Sequence, residues 1–366
     1  MNLYGGILMI AIKKVLSITV AFSIVMNIFI CHDIKIIRNV FNSNESVKAG
    51  VLLYSLDDEF SLRIKRSLEK IQNVNENKMQ FSFFDGKGNL AIEDELLSKM
   101  IKDDFDIIIA TLVDIKEQDI ILKSAIDKTK EKNLPFILYN SFPSNLGLFK
   151  NNQKTIIIDG DNHQAGVLQG QMIAKVWNDN KKNLDKNKDN KIQYVAIRGK
   201  TGSVAADLRT KDVVATINNY GIETQELAAI SADWEKELAN RAMEAFLFRL
   251  DNKIEVVISN NDNMAIGAIE AFQKYGYNKD DKSKYIAVFG IDGLLEAQEL
   301  IKNGYMSGTV LYDFDAYAKA VYDIGMNLVS NMKPLEGTNY KFDETGVRVL
   351  IQYQKYITKD NETHLN

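Results

Sequence analysis

The sequence predicts an α/β fold of two doubly wound sheets, mainly parallel and covered by helices. Strand-like and helix-like segments alternate at a regular beat, and the alternation begins again near the middle of the chain. Several strand candidates are near-continuous Val and Ile runs, the pattern of strands buried on both faces. With 366 residues, 46% of them hydrophobic, the chain is long enough for two domains of ordinary size.

Taken in order, Lys13 and Lys14 precede sixteen uncharged residues at 15–30, and polarity returns at His32. This reads as an export signal that takes the chain out of the cytoplasm, with Met9 as an alternative start. Cys31 follows the apolar run directly, so lipidation of Cys31, a cleaved signal without lipid and an uncleaved anchor are three alternatives; Phe29 and Ile30 stand where a lipidation signal has small residues. Residues 1–46 are thus signal or anchor plus linker. Strands are then expected at 47–55, 80–84, 105–112, 136–139 and 155–159, with helices at 58–71, 92–101, 116–132 and 164–176. The second half repeats the beat with strands at 192–197, 226–230, 254–259 and 286–289, and helices at 204–218, 234–250 and 262–274.

Composition excludes several classes. Net charge is -4 with both signs interspersed, so no basic stripe exists to neutralise nucleic acid. One cysteine and three scattered histidines exclude a disulfide framework, a transition-metal cluster and a Cys/His catalytic pair. Gly199-Lys200-Thr201 suggests a phosphate loop, but that motif's first glycine would fall on Tyr194 within a strand. No nucleophile elbow occurs, and no enzyme is expected.

Residues 185–193 offer oxygen ligands at alternating positions. Asp185, Asn187 and Asp189 fill positions 1, 3 and 5 of an EF-hand-like order, the Lys191 carbonyl position 7 and Gln193 position 9. Asn190 stands where such a loop has Gly, and Ala196 where it has a bidentate Glu. By spacing alone, a calcium loop and a solvated turn are equally good readings. At the carboxyl ends of the expected strands stand Asp58, Phe60, Asn140, Asn260, Asn261, Asp262 and Asp292, while Trp234 opens a helix. Singly, these residues suit caps and turns. Their repetition across both halves suggests a cleft in which carboxylates and amides bind hydroxyls and aromatic rings cover an apolar sugar face.

Tyr54-Ser-Leu-Asp-Asp-Glu-Phe60, the 185–193 loop, Lys253-Ile-Glu-Val-Val-Ile-Ser-Asn-Asn-Asp262, Val288-Phe-Gly-Ile-Asp292 and Gly308-Thr-Val-Leu311 together resemble the bacterial periplasmic galactose/glucose-binding proteins of sugar transport and chemotaxis. The resemblance runs from about residue 47 to 357. It implies a type I periplasmic-binding fold whose hinge the chain crosses three times, with 47–158 plus 313–335 in the first lobe and 159–312 plus 336–366 in the second. It also implies that Glu255 completes a structural calcium site with Asp185, Asn187, Asp189, Lys191 and Gln193.

In the sugar pocket, Asp58 matches the carboxylate that receives the O4 region, Phe60 and Trp234 the two rings around the pyranose, and Asn140, Arg209, Asn261 and Asp292 polar contacts. Ser203, Ala205 and Tyr312 depart from a His, an Asp and an Asn that contact sugar hydroxyls, each loss costing about 1–3 kcal/mol. Asp207 is a candidate replacement for the missing carboxylate. The expectation is a monomeric, extracytoplasmic protein that closes on a galactose- or glucose-like hexose, or a glycoside, and delivers it to an ABC transporter permease. The alternative is a sensing subunit that signals to a membrane receptor or histidine kinase without transport.

Overall fold

The computed structural model describes residues 46–357 apart from 114–116, 144, 150–151, 251 and 280, and its strands fall into two six-stranded sheets. Residues 1–45, with the apolar run and Cys31, lie outside the described residues. Among the described residues no helix is long and apolar enough to cross a membrane.

The first sheet contains β1 (Val47–Leu53), β2 (Met79–Asp85), β3 (Ile107–Ala110), β4 (Phe136–Tyr139), β5 (Thr155–Gly160) and β11 (Arg348–Ile351), in the order β2-β1-β3-β4-β5-β11. All its pairings are parallel. The Ile-Ile-Ile-Ala of β3 and Phe-Ile-Leu-Tyr of β4 are buried throughout, as central strands between two helical layers must be. Helices α1 (Glu59–Val74), α2 (Leu90–Lys102) and α3 (Gln118–Glu131) make its crossovers.

The second sheet contains β6 (Lys191–Arg198), β7 (Glu223–Ser231), β8 (Val256–Ser259), β9 (Ala287–Asp292), β10 (Gly308–Tyr312) and β12 (Tyr353–Ile357), in the order β7-β6-β8-β9-β10-β12. Only the β10–β12 pairing in it is antiparallel. Around it run α4 (Asn162–Leu184), α5 (Val204–Asn219), α6 (Lys236–Leu250), α7 (Asp262–Lys274) and α8 (Leu295–Lys302). Gln169 ties α4 to this sheet, donating from Nε2 to the carbonyls of Ser259 at 2.9 Å and Gly290 at 3.1 Å.

The chain passes between the sheets after β5, after β10 and between β11 and β12. Helix α9 (Phe314–Val329) returns to the first lobe, where Gly325 faces the side chains of Met79, Ile107 and Ile137 and Ser67 Oγ donates to Asp315 Oδ1 at 3.0 Å.

Two expectations need correction. Segment 336–366 does not belong wholly to the second lobe: β11 pairs with β5, Val349 and Ile351 are buried, and Arg348 approaches Asp159 at 3.6 Å. The helix expected at 164–176 continues to Leu184 through what reads as a polar loop. Trp177 and Leu184 are buried there, and only Asn180 departs from helical geometry.

Candidate functional site

Polar residues at the strand ends serve twice. Asp58 caps α1, its Oδ2 accepting from Ser61 N at 2.8 Å and Ser61 Oγ at 2.9 Å. Ser203 caps α5 through Ala206 N at 3.2 Å, and Asn261 caps α7 through Met264 N at 3.0 Å. Capping satisfies helix-end N–H groups that would otherwise lack partners. Yet these three also line one cavity between the two sheets, about 690 Å³ with its open mouth included. All seven expected ligand residues line it: Asp58, Phe60 and Asn140 from the first lobe, and Arg209, Trp234, Asn261 and Asp292 from the second.

Arg209 is buried and held on several sides. Nε donates to Asn162 Oδ1 at 2.6 Å, Nη1 to the Asn260 carbonyl at 2.7 Å and Nη2 to the Tyr353 hydroxyl at 3.0 Å. Its Nη1 stands 3.6 Å from Asp292 Oδ1, and the guanidinium carbon lies 5.8 Å from the Trp234 ring centroid. A guanidinium fixed in this way presents its remaining N–H directions without further loss of rotamer freedom.

Burial pushes the Asp292 carboxyl well above the usual carboxylate range, with Arg209 opposing the shift and Asp262 and Asp58 reinforcing it. Burial likewise raises Asp262 to about 7, against hydrogen bonds from Thr309 Oγ1 at 2.6 Å and Leu294 N at 2.8 Å. Such carboxyls, crowded and dry, favour neutral hydroxyl-bearing ligands over anions.

Phe60 and Trp234 border the cavity from opposite lobes. Phe60 is supported by Tyr312 at 5.3 Å and Phe314 at 5.1 Å between ring centroids. Trp234 and the preceding Asp233 both have left-handed backbones, φ 72° and 51°. The indole lies so close over the end of β6 that a Cβ at Gly199 would stand 2.1 Å from Cζ2, so glycine is needed there. Asn140 is also left-handed at φ 46°, a conformation Asn tolerates, and it lines the cavity from the end of β4.

Of the departures, Ser203 and Ala205 do line the cavity, whereas Tyr312 stands behind Phe60 and packs on Tyr353 at 5.3 Å. Asp207 is exposed on α5 and outside the cavity lining, which removes it as a replacement carboxylate. Sequence reasoning missed Tyr54, Thr111 and Tyr139 in the lining, and Asn162 and Tyr353 behind Arg209. Tyr54 was signalled by its place in the quoted segment at the end of the first strand. Burial, with Asp58 and Glu93 nearby, pushes its hydroxyl up to about 12, so it remains a donor at neutral pH.

The residues expected to bind calcium form a second cluster at the end of α4. Glu255 accepts from Lys186 N at 2.7 Å and Gln193 N at 2.9 Å, drawing both ends of the loop to β8. Asp189 accepts from Gln193 Nε2 at 2.8 Å and Lys191 N at 2.9 Å, and Asp185 from Asn190 N at 3.1 Å. Lys188 and Asn190 take left-handed backbones, φ 63° and 65°, so Asn190 does adopt the turn that Gly serves elsewhere. Among the described residues no three His, Cys, Asp or Glu groups stand as a formed metal cluster, and the Asp189 carboxylate is engaged by the Asn187 and Gln193 amides. The donor set nevertheless fits a hard cation: Asp185 Oδ1 and Gln193 Oε1 are buried without hydrogen-bond partners. Burial, with Asp185 and Asp189 adding to it, lifts Glu255 to about 7, as expected for carboxylates gathered without a counter-ion.

A family model described as periplasmic binding protein domain matches residues 49–333. The D-galactose/methyl-galactoside binding periplasmic protein MglB of Haemophilus influenzae is 32% identical over 303 residues, covering 82% of this chain and 87% of that one. Among solved structures, an ABC transporter solute binding protein of Bacillus halodurans with bound myo-inositol has a TM-score of 0.69 at 21% identity, covering 88% of this chain and 98% of that one. A periplasmic counterpart from Actinobacillus succinogenes with bound D-allose has 0.69 at 19%, covering 87% and 100%.

Proposed function

Since the chain belongs to the periplasmic binding protein family, we propose that it captures a galactose- or glucose-like hexose, or its glycoside, by hinge closure and hands it to an ABC transporter. It is a binding protein, not an enzyme, and the family's place is outside the cytoplasm. The observation that carries the reading is the convergence of seven residues from both lobes on one cavity, with a ring from each lobe. Asp58 and Asp292 accept from ligand hydroxyls, Arg209, Asn140 and Asn261 donate, and the Phe60 and Trp234 rings cover the apolar faces. Residues of both lobes must meet the ligand, so binding favours the closed form in proportion to its differential affinity.

The choice among hexoses rests on the 32% identical relative, named for D-galactose and methyl-galactoside. The more distant structures hold myo-inositol, D-allose and D-arabinose, so what they share is a small polyhydroxylated ligand. Within the same reading, Asp185, Asn187, Asp189, the Lys191 carbonyl, Gln193 and Glu255 hold a structural calcium ion, which supplies the positive charge their oxygens lack.

A thermal-shift screen of the calcium-loaded chain against D-galactose, D-glucose, methyl galactosides, D-allose and myo-inositol tests it. Ligand at about 100 times Kd adds about 2.7 kcal/mol of stability. A shift with D-galactose or methyl galactoside is expected. A shift only with D-allose or myo-inositol overturns the choice of sugar, and silence throughout overturns the binding reading.

A further inference from the structure

The first residues of α7 point three ways. Asn261 turns back to cap the helix and hold the Trp234 carbonyl at 3.3 Å, and Asp262 turns inward to Thr309 and Leu294. Asn263 is half-exposed and crosses the cleft: its Nδ2 donates to Asp58 Oδ1 at 3.1 Å. The partners belong to different lobes, Asp58 at the end of β1 and Asn263 behind β8, and lie 205 residues apart in sequence.

Asp58 Oδ2 is already held by Ser61 N and Ser61 Oγ from its own lobe. The bond from Asn263 therefore fixes the remaining rotation of the carboxylate and sets which lone pairs face the cavity. A carboxylate oxygen accepts more than one hydrogen bond, so a ligand hydroxyl and Asn263 can share Oδ1.

We propose that Asn263 is a positioning residue that latches the lobes: by bonding Asp58 only when the cleft is closed, it couples orientation of the ligand-reading carboxylate to closure. The inference rests on the binding reading above. Ligand enters the open form, where the Asn263 to Asp58 bond is absent, and the bond favours the closed form with or without sugar, so its loss speeds escape and does not slow entry. A hydrogen bond to a charged acceptor is worth about ten-fold in an equilibrium constant at the lower end of its range.

The test uses the full chain with calcium, D-galactose as probe, stopped-flow rates and small-angle X-ray scattering without sugar. Asn263→Ala is expected to raise the D-galactose off-rate about ten-fold with no fall in the on-rate. Asn263→Asp, which sets two carboxylates face to face, is expected to cost more and to enlarge the sugar-free radius of gyration. In an Asp58→Asn background the same Asn263→Asp change restores a donor–acceptor pair and is expected to shrink that radius again, a sign reversal that a merely structural role would not produce. A wild-type off-rate in Asn263→Ala overturns the latch. If the wild-type chain binds no D-galactose, the sugar reading falls separately, and the scattering decides the latch: an unchanged radius in Asn263→Asp overturns it, and an enlarged one that reverses in the double variant supports it.

Discussion

Arg209 is the residue on which the cavity's polarity turns. It stands beside buried Asp292 and also satisfies Asn162, the Asn260 carbonyl and the Tyr353 hydroxyl. Removing one partner from a buried ionic network costs about 3–5 kcal/mol, because the others are left unpaired. Arg209→Met is therefore expected to lose roughly 3 kcal/mol in urea unfolding as well as ligand affinity; undiminished stability would show that the guanidinium is not the centre of the network. Its place in the cleft was expected from the resemblance alone; the structure sets Arg209 four residues from Ala205 on one face of α5, and both line the cavity. Asp207 is rotated about 200° from Ala205 on the same helix and faces water, which is why proximity in sequence misled there. Asn263 was illegible for a different reason: its partner is in the other lobe, and no local pattern encodes that pairing.

At the scale of elements, the Val and Ile runs gave the central strands, and Asp58 marked the start of α1; α7 is capped by Asn261, one residue before Asp262, and α5 by Ser203, which the sequence relates only to the sugar pocket. The C-terminal elements were less legible. β11 and β12 are four and five residues long, separated by Gln352 alone, and enter different sheets, so membership is set by tertiary pairing.

Helix α2 carries a buried Glu93 whose Oε2 accepts from Val113 N at 2.7 Å while Oε1 has no hydrogen-bond partner. Burial lifts this carboxyl from 4.5 to about 8. The folded state then holds a proton that the unfolded state has released, so stability falls as pH rises from about 4.5 through about 8. Glu93→Gln is expected to flatten that fall and to raise Tm relative to wild type most at the alkaline end; parallel pH profiles would contradict the assignment. The loop between α4 and β6 gives a second test. Calcium is expected to raise Tm and EGTA to reverse it, with the response lost in Glu255→Gln. Equal melting in calcium and EGTA would remove the ion from the account.

For the whole molecule, two lobes crossed three times by one chain give a hinge, and the facing strand ends give the site. Neither lobe lines the cavity alone: Asp58, Phe60 and Asn140 lie on one side, and Arg209, Trp234, Asn261 and Asp292 on the other. The protein has two tryptophans, and they report on different places: Trp177 is buried in α4, and Trp234 borders the cavity. Titration of intrinsic fluorescence with D-galactose or methyl galactoside therefore tests closure around a sugar most directly. The account expects a saturable change in emission that survives Trp177→Phe and disappears in Trp234→Phe. A folded wild-type chain with no saturable response to either sugar, or a response that follows Trp177, would contradict it.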